Sequence, residues 1–427
     1  MIYDDRRADA TVPVAKRSDV AYFAQINIGT PPQLVSVQLD TGSFELWVNP
    51  DCSDLAWSSD MRFCQAAGHY DPSSSSSSAE LATSKSLTYG IGSANIRYFT
   101  DTVGLAGTDA LIRDVQFGVA SDTVDEFSGI LGIGHGENLN IGYKNVIDQL
   151  ADQGVTNTKA FSLALGSKLE QEGVIIFGGL DTSKFTGTLQ TQPIIPAINS
   201  PDGVARYWIK MESVSITPPD ATTKQYPNPS MAVIIDSGAT LTLLPKRLAN
   251  AIAADFGAGA ADDSGLYRVD CQLNNQPGTL NFAFAGVTIR VPYREVVREG
   301  TDDLCYLGIG SSEDFILLGD TVLRSAYAVF DQTDSAIHLA QYSNCGSNEK
   351  EITASMDWGA VQGDCDPPDF TADAYLDPTA QPPRVGNGAG GRSGDSGASW
   401  RGVWGLGPLW MVWGAIYAVD LGARVLP

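Results

Sequence analysis

An all-β protein built from two related halves is the fold class this sequence predicts, and three observations predict it. Short β-branched and aromatic runs, cut by Gly, Pro, Asp and Ser clusters, fill the chain from Val20 to about residue 345. Helical periodicity is confined to "NVIDQLADQG" at 145–154 and "KRLANAIAADFG" at 246–257. An Asp-Thr/Ser-Gly triplet follows an apolar run twice, in "VSVQLDTGSFELWV" and in "AVIIDSGATLTLLP".

Taken in order, the chain opens with "MIYDDRRADATVPVAKRSDV", which is polar and lacks the apolar region of a secretory signal. Residues 1–17 read as a pro-segment remnant ending in a dibasic site, Lys16-Arg17; the alternative is a chance Lys-Arg pair in a disordered N-terminus. Residues 18–195 and 196–345 form the two halves, each carrying one triplet. "SSSSSS" at 73–78 reads as a loop open to O-glycosylation. After Cys345 the composition turns Pro/Gly/Ser/Asp-rich, so residues 346–402 read as a stalk. The apolar tail at 403–427 has the pattern of a GPI-attachment signal, although Asp420 and Arg424 interrupt it and a mis-spliced gene end would look the same.

At 427 residues and 43 % hydrophobic content the chain can bury a large core. Fifty acidic against 27 basic residues give a net charge of −23, which argues against nucleic acid as a partner and suits a protein dispersed at neutral pH. The six cysteines, at 52, 64, 271, 305, 345 and 365, are even in number and suggest disulfides in an oxidising compartment. Cys52–Cys64 would close a short loop, Cys271–Cys305 another, and Cys345–Cys365 follows by elimination. With three histidines and no Cys/His cluster, no metal site is expected.

The triplets belong to a larger repeat. "FSGILGIG" (127–134) follows the first and "FILLGD" (315–320) the second. Duplication of a whole lobe places equivalent residues across a pseudo-twofold axis, so Asp40 and Asp236 should face each other. Two carboxylates in hydrogen-bonding reach share one proton over a wide pH range. The ionised one can take a proton from water while the protonated one bonds the substrate carbonyl. Gly42 and Gly238 let the backbone turn tightly, and the Thr41 and Ser237 hydroxyls can reach the opposite loop.

On these residues the chain resembles the pepsin-like aspartic endopeptidases over roughly residues 18 to 345. The resemblance implies two β-barrel-like lobes with a cleft between them that holds an extended polypeptide, and it assigns catalysis to Asp40 and Asp236. Thr41, Gly42, Ser43, Ser237, Gly238 and Thr240 would support the pair. "SLTYGIGSANI" (86–96) matches the family's flap, with Tyr89, Gly90, Ile91 and Gly92 at its tip and Trp47 as the partner of the tyrosine. Cys52–Cys64 and Cys271–Cys305 match the family's loop bridges. The resemblance also implies no cofactor, inhibition by pepstatin-type compounds and a monomer. The leader and stalk point to fungal, yapsin-like members, secreted or anchored at the cell surface.

One departure carries a prediction. The second triplet continues with Ala239, where many members of the family have a hydroxyl residue, so the pair should titrate higher and the optimum move towards mildly acidic pH. Asp122, Asp125 and Glu126 read either as a solvated loop or as a preference for basic residues at the cleaved bond; His135 reads as a loop histidine. The rival functions are a catalytically inactive peptide-binding or inhibitor-type protein on the same fold, and an adhesive cell-wall protein.

Overall fold

The computed structural model describes residues 10–370, apart from 18–20, 50–51, 53–57, 91, 125, 127, 171, 220–221, 228–229, 301–303 and 369. Its largest sheet has thirteen strands. Six of them form a spine that belongs to neither half alone: in spatial order Phe185–Pro193, Ala336–Tyr342, Ala326–Asp331, Ala160–Ala164, Glu172–Phe177 and Ala10–Arg17. The sheet continues through Ala21–Ile28 and Gln33–Asp40 into the N-terminal lobe and ends on the long hairpin Ala79–Thr88 and Ser93–Leu105. The C-terminal lobe is built from sheets of five, four and three strands between Trp208 and Leu318.

Both lobes contain the same local device, which is the structural content of the sequence repeat. In the first, Gln33–Asp40 runs parallel to Gly129–Gly132, and that strand pairs antiparallel with Leu46–Val48. In the second, Met231–Ile235 runs parallel to Leu317–Leu318, which pairs antiparallel with Thr242–Leu244. Each Asp-Thr/Ser-Gly loop is therefore pinned by a strand arriving from about eighty to ninety residues later in sequence. The glycine ending that strand is sterically required. A Cβ on Gly132 would lie 2.5 Å from the Glu45 nitrogen, and one on Gly319 would lie 2.3 Å from the Ala239 carbonyl oxygen.

Both helical stretches form, as Val146–Asp152 and Lys246–Asp255. Asn145 caps the first: its side chain accepts from the Asp148 N–H and the Asp148 carboxylate accepts from the Asn145 N–H. A further helix, Ser58–Ala67, stands at the Cys52–Cys64 bridge; its polar first half hid it from a search for apolar periodicity.

The structure moves three boundaries. The N-terminal lobe is expected to begin at residue 18, after a pro-segment remnant, but Ala10–Arg17 is already a spine strand paired on both sides, with Lys16 opposite Tyr22 and Arg17 opposite Ala21. Ala10 and Val12 are buried, so alternating apolar positions bring this polar-looking segment into the sheet. The second half does not run unbroken to 345, because Ala326–Asp331 and Ala336–Tyr342 return to the spine.

The stalk does not begin at 346. Glu349–Glu351 pairs with Gly179–Asp181, Trp358 stacks on His338 with ring centroids 3.8 Å apart, and Cys345–Cys365 closes the segment. Ile352 and the partly buried Met356 and Trp358 cover an apolar cluster of Leu180, Phe185, Tyr327 and Val329, which is why a segment of stalk-like composition folds. The rest of the stalk and the apolar tail lie outside the described residues.

The serine run is tied into the fold by its own hydroxyls. The hydroxyls of Ser73 and Ser74 donate to Asp71, those of Ser75 and Ser77 to Asp101, and that of Ser76 to the Thr30 carbonyl.

Candidate active site

The two triplets meet where the lobes join. The Thr41 hydroxyl donates to the Ile235 carbonyl at 2.9 Å and accepts from the Ser237 N–H at 2.9 Å. Its counterpart, the Ser237 hydroxyl, donates to the Leu39 carbonyl at 2.9 Å and accepts from the Thr41 N–H at 3.2 Å. Four buried bonds thus cross the pseudo-twofold axis. Within each loop the carboxylate is held by its own glycine: Gly42 N–H donates to Asp40 Oδ1 at 2.8 Å, and Gly238 N–H to Asp236 Oδ1 at 2.9 Å.

This arrangement leaves no room for a side chain at either glycine. A Cβ on Gly42 would stand 2.6 Å from both oxygens of Asp236, and one on Gly238 2.3 Å from Asp40 Oδ1. Each carboxylate therefore lies against the opposite triplet, and the two aspartates, both 6 % exposed, face each other.

Burial pushes the carboxyl of Asp40 above its usual range, opposed by Ser43 and by the Gly42 N–H. Asp236 is raised by burial and then by the charge of Asp40, with the Gly238 N–H as the leading opposing contribution. The environments are unequal in one informative respect. The Ser43 hydroxyl beside Asp40 favours its charged form, although it makes no aligned hydrogen bond within the protein. The equivalent position beside Asp236 is the fully buried methyl of Ala239. Thr240 is buried too, and its carbonyl accepts from the Thr321 hydroxyl at 3.1 Å, so it anchors the loop to the segment after "LLGD".

The flap forms as the turn of the long hairpin, where the Tyr89 N–H donates to the Gly92 carbonyl at 3.0 Å. Gly90 is exposed at the tip, Gly92 has φ +91°, and Ile91 lies outside the described residues. The buried Trp47 donates its indole N–H to the Tyr89 hydroxyl at 2.6 Å. Lys85, on the flap's first strand, reaches Glu45 at 2.7 Å, and the Tyr98 and Tyr143 hydroxyls donate to the other oxygen of the same carboxylate. The flap arm is thus tied to the residue five positions after Asp40. Glu126 lies beneath the tip, where a Cβ on Gly92 would meet its Cγ at 3.0 Å. All three disulfides form, Cys52–Cys64, Cys271–Cys305 and Cys345–Cys365.

Two cross-lobe contacts were not anticipated from the sequence. Gln38 Nε2 donates to the Gly238 carbonyl at 3.1 Å, and Arg206 Nη1 donates to the Gly42 carbonyl at 2.7 Å. Gln38 could have been flagged as a polar residue that breaks an apolar strand two positions before Asp40. Nothing in the "ARYW" context of Arg206 marks it. His135 is not at the site's surface: it is buried against Tyr207, with ring centroids 5.1 Å apart.

A two-lobed β fold with paired, cross-braced aspartates at the lobe junction defines an aspartic protease. In agreement, residues 21–342 match the eukaryotic aspartyl protease family, and the chain belongs to it. It is 34 % identical over 374 residues to a probable aspartic-type endopeptidase opsB of Aspergillus oryzae, covering 82 % of this chain and 75 % of that one. It is 37 % identical over 348 residues to secreted aspartic protease 3 of Candida albicans, covering 78 % of this chain and 82 % of that one. The crystal structure of the aspartic proteinase from Irpex lacteus superposes with a TM-score of 0.62 at 26 % identity, covering 78 % and 98 % of the two chains. The protein is a pepsin-like aspartic endopeptidase, and a fold of this kind takes its peptide substrate in a cleft between the lobes.

Proposed function

We propose that Asp40 and Asp236 are the general base and general acid of peptide-bond hydrolysis. The single observation that carries this reading is the set of four hydrogen bonds from Thr41 and Ser237, which hold two buried carboxylates face to face. Asp236, next to the methyl of Ala239, keeps the shared proton; Asp40, next to Ser43, is the ionised partner. Asp40 takes a proton from water as the water oxygen attacks the scissile carbonyl carbon, and Asp236 donates to the carbonyl oxygen. The resulting diol collapses when the leaving nitrogen receives a proton, and the C–N bond breaks to give an acid and an amine. The flap carrying Tyr89 closes over the substrate, with Trp47 fixing the tyrosine.

Secretion is part of the reading: three disulfides fit an oxidising compartment, and the Candida relative is by name a secreted protease. A monomer follows from the duplication, because one chain supplies both aspartates. GPI anchoring rests on the tail's composition alone. Cleavage of a mixed peptide library from about pH 3 to about pH 7, by wild type and Asp236→Asn with and without a statine-type mimic, tests the proposal. Cleavage by wild type alone, blocked by the mimic, is expected. Cleavage that survives in Asp236→Asn overturns it.

A further inference from the structure

Each triplet's glycine carbonyl accepts a hydrogen bond from a side chain of the opposite lobe. On one side the donor is a neutral amide, Gln38 to Gly238; on the other it is a guanidinium, Arg206 to Gly42. The pseudo-twofold symmetry of the site is therefore broken by a guanidinium, whose charge a carboxylate behind it offsets only in part. Arg206 is 4 % exposed and held from behind: its Nε donates to Asp202 at 2.8 Å, and its guanidinium carbon lies 5.2 Å from the centre of the Phe44 ring. Asp202 is itself fixed by the Trp208 indole N–H at 3.0 Å, the Val204 N–H at 3.1 Å and the Ser200 hydroxyl at 3.1 Å.

We infer that Arg206 is a positioning residue for the aspartate pair, clamping the Gly42 loop across the lobe junction and placing a fixed buried cation near both carboxylates that lowers the pH range in which the enzyme works. This rests on the proposed roles of Asp40 and Asp236. A nearby cation favours the ionised form of each, and Arg206 opposes the upward push of burial at both. The other charged groups facing the site do not duplicate it. Glu45 and Glu126 stand by Tyr89 on the flap side, and Lys85 is matched by Glu45. His135, packed on Tyr207, is pushed down to about 4 by burial and is neutral above that.

The sign is definite. Without the cation the pair holds both its protons to higher pH, so the acidic limb of the rate profile rises, and the alkaline limb, loss of the shared proton, rises with it. The experiment measures kcat against pH for wild type, Arg206→Gln, Arg206→Lys and Asp202→Asn/Arg206→Gln, with Asp236→Asn alongside. Arg206→Gln substitutes the kind of amide that Gln38 supplies on the other side. The double variant removes the charge without stranding the Asp202 carboxylate, so a folding defect in the single variant does not decide the outcome. Arg206→Gln is expected to shift both limbs up by about one pH unit and the double variant, which also loses the Asp202 anion, by about half a unit, while lysine keeps them in place. Limbs that stay put in the double variant overturn the inference. Activity remaining in Asp236→Asn would instead overturn the assignment of the pair, a separate and distinguishable result.

Discussion

Thr41 and Ser237 exchange hydrogen bonds across the lobe junction, each hydroxyl accepting the other residue's backbone N–H, at 2.9 and 3.2 Å. Either hydroxyl also donates onward to the strand leading into the opposite aspartate. The two loops therefore cannot move independently. Thr41→Val keeps the shape but strands the Ser237 N–H and the Ile235 carbonyl, each an unsatisfied buried group worth about 1–3 kcal/mol. Calorimetry should show a melting temperature lower by several degrees, and kcat should fall about tenfold or more. Thr41→Ser should restore most of both; a valine variant with wild-type kcat would show the bonds to be incidental.

Ala239→Ser adds one hydroxyl beside Asp236, where Ser43 already supplies one beside Asp40. A donor to a carboxylate favours the charged form, so the acidic limb of the rate profile should move to lower pH. Ser43→Ala should move it the other way. An unmoved limb in both variants would remove the link between these hydroxyls and the optimum.

Burial, and for Asp236 the charge of its neighbour, raises the pair's pKa values in the folded protein. A raised folded pKa contributes stability that is fully present below the unfolded value, near 3.9, and is lost as pH rises through the folded one. The protein should accordingly melt lower at neutral than at mildly acidic pH. Asp236→Asn should raise the melting temperature at neutral pH and leave it nearly unchanged well below the unfolded carboxyl value. Equal effects of the substitution at both pH values would contradict the assignment.

Tyr89→Phe removes the acceptor of the Trp47 indole N–H while keeping the ring that packs in the same cluster. Loss of a bond that orders the flap should lower kcat/KM by about tenfold, a cost near 1.4 kcal/mol, with little change in melting temperature. A large drop in stability with normal kinetics would make the pair a core contact only.

The segment after the second lobe offers a contrasting case. The Cys345–Cys365 bridge, of sequence separation 20, and the stacking of Trp358 on His338 hold it against the spine. Replacing both cysteines by serine should cost about 2–4 kcal/mol in a denaturant melt. Activity at 25 °C should stay at the wild-type level, since neither cysteine belongs to the site. A loss of activity with unchanged stability would instead tie this segment to the cleft.

The sequence by itself determined the duplication, the strand class, the two aspartates and the flap, because each is written locally: an apolar run, a turn-forming triplet, a Gly-ended strand. Trp47 and Tyr89 were legible for the same reason, each sitting in its own short motif. Composition did not reveal the packing at either end. Ala10–Arg17 looks like a leader and residues 346–370 like a stalk, yet one finds two strand partners in the spine and the other an apolar cluster to cover. Local polarity does not reveal which surface a segment will meet. Only tertiary structure decided that Arg206 lies against Gly42 and Gln38 against Gly238, since each contact joins residues that only the meeting of the two lobes brings together. A residue's type sets the charge it can carry, but the field at Asp40 and Asp236 depends on distance and burial, and both are products of the folded chain.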